Sequence, residues 1–317
     1  MHVHLEGTAS PRFTFETAQK NGVALDRTSL ADWERDYAFA DLPGFIELYI
    51  RAAGALTRPE DYGRLTVELL HEQARQNVLY SEVFLSASLL VGKLPPDEVL
   101  GAIAAAVAEH GPRLGTDLRL IPDIARHWPE TADFVVDMVL AGHAMGLVVG
   151  MGLGGPEAGF PPDPFRDHFR HVRERGVHAV AHAGEAAGPE SIAGAIEHLG
   201  AERIGHGCSV VRSPELMAHM ATARIPIECC PISNYKLGSW PTGEPHPTRR
   251  MVAAGIVCSV NSDDPGFFGT TLADEYVLLH EQGFSPAELE RMAMDTVDSL
   301  FLADVEKAGL RARMRGC

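Results

Sequence analysis

The sequence predicts a single (β/α)8 barrel of the TIM type over residues 1–317, with extra helices over its mouth and at its C-terminus. Two observations carry this expectation. Eight short apolar runs, near 3–6, 78–85, 118–122, 147–153, 177–183, 203–206, 225–229 and 256–261, alternate with amphipathic stretches, and strands alternating with helices form a parallel sheet. Several of these runs also close on histidines or carboxylates, at the strand ends where barrels build their sites.

In chain order, residues 11–54 are too long for one strand-helix link and predict helices over the barrel mouth. Helical period over 59–76, 95–109, 130–144, 163–174, 191–199, 214–222 and 248–254 supplies the linking helices. Two further helices, over 271–282 and 286–300, follow the last strand, with Ser285 as N-cap before Pro286. No internal repeat or low-complexity linker interrupts the chain.

A formal net charge of −16 argues against nucleic acid or an anionic membrane surface as partner, because phosphates would be repelled. A small neutral or cationic molecule fits better. Cys208, Cys229, Cys230, Cys258 and Cys317 are odd in number and lack CxxC spacing, so neither a disulfide framework nor a thiolate metal site is expected. That usage points to a reducing cytoplasm. No basic and apolar leader precedes Val3, and no apolar run reaches the ~18 residues of a membrane helix. No pattern specifies an oligomeric state.

The chemistry gathers at four strand ends. His2 and His4, two apart, would share one face of the first strand. His182-Ala183-Gly184-Glu185 closes the fifth, His206 between Gly205 and Gly207 the sixth, and Asp263-Asp264 the eighth. His2, His4, His182 and Asp263 are candidate metal ligands, leaving Glu185, His206 and Asp264 for proton work. Each motif alone is commonplace, since HxH arises by chance and SDDP is usually a turn. Adjacent Asp263 and Asp264 cannot both face inward on a regular strand, so one would ligate and the other turn toward substrate at Pro265. His178 is expected as a satisfied core histidine, and His127 and His246 among those that are surface or structural.

As a set, these residues resemble the adenosine deaminase family of the amidohydrolase superfamily. The matching motifs are His2-Val3-His4-Leu5-Glu6-Gly7-Thr8, Gly154-Gly155-Pro156-Glu157, His182-Ala183-Gly184-Glu185, Ile204-Gly205-His206-Gly207, Cys230-Pro231-Ile232-Ser233-Asn234 and Ser262-Asp263-Asp264-Pro265 with Phe268-Gly269. The resemblance implies one zinc ion per chain on His2, His4, His182 and Asp263, and a purine substrate whose 6-amino group is hydrolysed. It implies Glu185 as the acid for a ring nitrogen, His206 in proton transfer, and Asp264 orienting the attacking oxygen and contacting the purine. By the same resemblance Gly155 contacts the purine through its amide, Glu6 lies on the sugar side, and His4 borders the substrate.

Gly205 stands where the members acting on free adenine resemble one another in carrying an aspartate, and the Gly269-Thr270-Thr271-Leu272 and Gly154-Gly155-Pro156-Glu157 stretches resemble the members acting on nucleosides, including those acting on 6-aminodeoxyfutalosine. Asn234-Tyr235-Lys236-Leu237 resembles the adenine-deaminating members. Adenosine or a 5′-modified adenosine is the expected substrate, with adenine as alternative. Family members carry several residues ahead of the HxH pair, whereas His2 here follows Met1. Either the chain as numbered begins late, or ordering a frayed terminus weakens zinc binding. In the second case the rival is a protein that binds purine without turning it over.

Overall fold

The computed structural model describes residues 1–316, and Cys317 lies outside them. Seven parallel strands pair in chain order: β1 (Tyr80–Leu85), β2 (Asp117–Ala125), β3 (Gly150–Gly154), β4 (His178–Ala183), β5 (Arg203–His206), β6 (Ile227–Cys229) and β7 (Cys258–Val260). The N-terminal run closes the ring. Val3 bridges Asp263 and His4 bridges Phe84, both in parallel sense, with His4 N donating to Asp263 O at 2.9 Å and Leu5 N to Phe84 O at 2.8 Å. The fold is thus the TIM barrel that the alternation of runs predicts.

The first strand is shorter than the sequence implied. Thr8 N and Thr8 Oγ1 both donate back to Leu5 O, at 3.1 and 2.7 Å, so residues Glu6–Thr8 wind into a 3-10 turn rather than extending the strand. The terminus itself is not frayed. Met1 N and His2 N both donate to Asn261 Oδ1, at 2.9 and 3.0 Å, and His2 is buried.

The linking helices fall where helical period placed them, including Pro59–Arg75, Pro96–Leu114, Ala132–Ala144 and Pro286–Ser299. Ser285 caps the last of these, its hydroxyl accepting from Glu288 N while the Glu288 carboxylate accepts from Ser285 N. Three helices had no sequence signal. Pro231–Lys236 and Pro265–Phe268 are very short elements, and Asp304–Met314 fully buries no side chain.

Residues 11–54 form the helices Pro11–Asn21, Leu30–Asp36 and Leu42–Ala53. Their apolar faces make a second small core, in which Trp33, Phe45 and Leu48 pack with Leu237, Phe267 and Phe268 from loops of the barrel mouth. The strand interior below is plugged by an ionic cluster. Arg203, almost fully buried, pairs with Glu82 and Glu228 and donates to Ser299 O, with its guanidinium 3.8 Å from the Phe301 ring centroid. A buried charge persists only where such partners satisfy it. Among the described residues no helix is long and apolar enough to cross a membrane, and Cys208, Cys229, Cys230 and Cys258 are buried free thiols.

Candidate active site

The i, i+2 spacing does carry both N-terminal imidazoles into the barrel. His4 Nε2 stands 3.1 Å from His182 Nε2, while His2 Nε2 and His4 Nε2 each lie 3.4 Å from Asp263 Oδ1. Second partners fix the rings. His2 Nδ1 donates to Glu228 Oε2 at 2.7 Å and His182 Nδ1 to Leu153 O at 3.2 Å, which leaves both Nε2 atoms as lone pairs aimed at the centre. His2 Nε2 is buried without a hydrogen-bond partner. Ligand atoms of His2, His182, His206 and Asp263 all fall within 4.8 Å of one another. Lone pairs facing each other across so small a space, beside a carboxylate, are the donor set a zinc ion requires.

The protonation of His4, His182 and Asp263 agrees, whereas burial opposes charge on His2 but its contacts with Asp263 and Glu228 raise it to about 9, a proton that a bound cation would displace. Burial drives His4 down to about 3 and His182 well below the usual imidazole value, so both are neutral. Burial also opposes charge on Asp263, but its contact with His2 and the surrounding imidazoles hold the carboxyl ionised, well below its ordinary range.

Strand alternation predicted that one aspartate would face inward as a ligand and the other would turn toward substrate at Pro265. Both are buried at the barrel mouth, because Asp263 adopts φ +59° and breaks the alternation. Asp264 then lies over Gly7, where a Cβ would come 1.9 Å from Asp264 Oδ1, so only glycine fits. Asp264 Oδ1 is buried with no hydrogen-bond partner. Burial, and then the neighbouring Asp263 charge, push its carboxyl well above the ordinary range.

Glu185 sits on a loop that another acid organises. The Glu157 carboxylate, from the Gly-Gly-Pro-Glu motif, accepts main-chain N–H groups from Gly184, Glu185, Ala186 and Ala187, the last three at 2.7–3.0 Å. Glu185 accepts from Ser239 Oγ at 3.2 Å and its Oε2 lies 3.8 Å from His206 Nε2. Burial raises the Glu185 pKa, and His206 only partly offsets this. His206, with φ +62°, receives the Asn234 Nδ2–H at Nδ1 (3.1 Å), while Asn234 Oδ1 faces His246 Nε2 and the Cys208 thiol. A neutral His206 therefore carries its proton on Nε2, toward Glu185. Gly205 permits the packing behind it, since a Cβ there would meet His2 Cε1 at 2.7 Å.

His4, Gly155, His182, Glu185, His206, Asp263 and Asp264 line one cavity under the helix Leu42–Ala53. Glu6 is set behind its wall. Its oxygens accept from Ser86 N at 3.2 and 3.3 Å and from Tyr49 OH at 3.3 Å, and burial raises it to about 7. Three residues to which sequence reasoning gave no role in the site are part of it, Ser233 among them although its motif was recognised. His127 lines the cavity instead of the surface, Asp123 lines it at the end of β2, and Ser233 Oγ donates to Asp263 Oδ2 at 2.6 Å. Asp123 bears the signal used elsewhere, a carboxylate ending a strand. His178, expected in the core, is instead half-exposed at the barrel bottom, stacked on Phe301 and 2.9 Å from Glu202.

A model of the family described as adenosine deaminase matches residues 1–316. The chain is 36% identical to an aminodeoxyfutalosine deaminase of Streptomyces avermitilis, over 99% of this chain and 89% of that one. Among solved structures, an adenine deaminase from Arthrobacter aurescens superposes with a TM-score of 0.94 at 29% identity, covering 99% of this chain and 97% of its own. A zinc-bound amidohydrolase from Burkholderia ambifaria superposes with a TM-score of 0.91 at 29% identity, covering 99% and 88%. With histidines and acids converging at the mouth of a TIM barrel and the match running from residue 1 to residue 316, this chain belongs to the adenosine deaminase family.

Proposed function

We propose that this chain catalyses the zinc-dependent hydrolytic deamination of a 6-aminopurine, with adenosine or a 5′-modified adenosine as substrate and an inosine-type product plus ammonia. The observation that carries the reading is the convergence of His2, His4, His182 and Asp263 at the edge of a cavity whose lining includes three acids with raised pKa values, Asp123, Glu185 and Asp264. His2, His4, His182 and Asp263 would hold one zinc ion. When bound, the zinc supplies a water acidified enough to react at neutral pH.

Glu185, kept protonated by burial, gives its proton to the ring nitrogen beside C6, so that C6 accepts the electron pair of the incoming oxygen. Asp264, with Oδ1 free, orients that oxygen and meets the purine. His206 holds a proton on Nε2 beside Glu185 and takes part in moving protons between the incoming oxygen and the leaving nitrogen. Gly155 offers its amide to the purine, and Glu6 supports the sugar side through Tyr49 and Ser86. The C6–N bond breaks, ammonia leaves, and a 6-oxopurine remains.

Likeness to the Streptomyces aminodeoxyfutalosine deaminase supports a 5′-modified nucleoside. Adenine is the second reading, favoured by the likeness to the Arthrobacter adenine deaminase and by the Asn234-Tyr235-Lys236-Leu237 segment. Zinc-loaded protein, offered adenosine, deoxyadenosine, 6-aminodeoxyfutalosine and adenine, should release ammonia as the adenine ultraviolet band shifts. A fully zinc-loaded sample inert to all four compounds refutes the proposal.

A further inference from the structure

The sequence pointed to Glu6 as the acid on the side of the cavity away from the reacting amino group. Both Glu6 oxygens, however, are engaged by Ser86 and Tyr49 behind the wall. Another acid faces the open space. Asp123 lies near the C-terminal end of β2, lines the cavity between Ser86, just past β1, and Gly155, just past β3, and is only 6% exposed. Its carboxyl takes no hydrogen bond from any other described residue. Gly152 and Gly154 leave room for it, since a Cβ on Gly154 would meet Asp123 Oδ2 at 2.5 Å. A buried carboxyl without a partner is costly, so a ligand group that pairs with it gains from removing that cost.

The lack of any fixed cation in the wall sharpens the point. Among the described residues no lysine or arginine lines this cavity, and of its acids burial raises Asp123, Glu185 and Asp264 while only Asp263 is held ionised. The neighbouring Arg126 is turned away and committed, its guanidinium donating to Phe160 O and His182 O. A phosphate entering here would be desolvated opposite acids with no cation to meet it.

We infer that Asp123 determines specificity at the non-reacting end of the substrate: it pairs with a hydrogen-bond donor there, a sugar hydroxyl or the imidazole N–H of a free base, and excludes phosphorylated substrates. This rests on the deaminase reading for the substrate's orientation, but its test does not require turnover. Binding of inosine, hypoxanthine and inosine 5′-monophosphate to the zinc-loaded protein is measured by calorimetry, beside turnover of adenosine, deoxyadenosine, adenine and adenosine 5′-monophosphate. Wild type should bind and use the neutral compounds about a hundredfold better than the phosphates. Asp123→Ala should weaken neutral ligands roughly tenfold or more, acting mainly on KM, and Asp123→Asn, which keeps a hydrogen-bonding group, should recover part of that loss and narrow the discrimination against phosphate. A loss confined to nucleosides assigns the donor to the sugar, and one confined to adenine and hypoxanthine assigns it to the base. Monophosphate bound as tightly as inosine by wild type, or neutral ligands unaffected in a well-folded Asp123→Ala protein, overturns the inference. Selective binding of the neutral purines without any turnover would count against the deaminase reading alone.

Discussion

His4 Nε2 and His182 Nε2 stand 3.1 Å apart although 178 residues separate them in the chain. With the His182 Nε2 lone pair aimed at the centre, His4 Nε2 either donates to it or shares a cation with it. His182→Ala should therefore lose bound metal on gel filtration, checked by elemental analysis, while its circular dichroism stays native and turnover disappears with the metal.

The proposed acid role of Glu185 requires it to be protonated in order to act. Burial raises its pKa; activity should be highest below that raised value and fall as pH climbs through it. Glu185→Gln should keep its zinc and lose about 10²- to 10⁴-fold in kcat. Its residual pH profile should lack the alkaline limb, and undiminished turnover would remove Glu185 from the acid role.

Glu157 is the residue on which the Glu185 loop depends, through four main-chain donors to one carboxylate. Glu157→Gln turns an amide N–H toward those donors. It should cost about 2 kcal/mol in chemical denaturation and lower kcat at least roughly tenfold with metal content unchanged.

Gly205→Ala places a methyl 2.7 Å from His2 Cε1. The ring is also held from behind by Glu228 and has no room to retreat. Zinc affinity, read by competition with a chelator, should fall roughly 10- to 100-fold, while His4 and His182 remain in place.

His246 gives the fold an acid-sensitive point. Burial lowers it to about 3 from an ordinary 6.5. Between those values the unfolded chain binds the extra proton, so the contribution of this group to stability is full above about pH 6.5. It declines by up to about 1.4 kcal/mol per pH unit on acidification toward 3. His246→Gln should flatten the dependence of Tm on pH between 6 and 4.

Much of the site was legible in the sequence because its residues end strands. A barrel brings strand ends together whatever their spacing in the chain, so His2, His4, His182, His206 and Asp263 were recognisable from order alone. Glu157 and Asn234 stood in recognised motifs, but their work is to hold other groups, the Glu185 loop and the His206 ring, and that is visible only as contacts. Asp123 carried that strand-end signal but stood in none of the recognised motifs, and His127, a lone histidine just past β2, had no distinguishing pattern.

The residue pattern by itself determined the barrel, the side on which the candidate site is built and the set of candidate metal ligands, since period and strand order are local properties of a chain. Tertiary structure alone decided that both aspartates turn inward, that Glu6 is spent on Tyr49 and Ser86, and that Asp123 faces the open cavity. The physical reason is that a left-handed φ at Asp263 and the hydrogen bonds that engage Glu6 depend on neighbours remote in sequence, and no local periodicity records them.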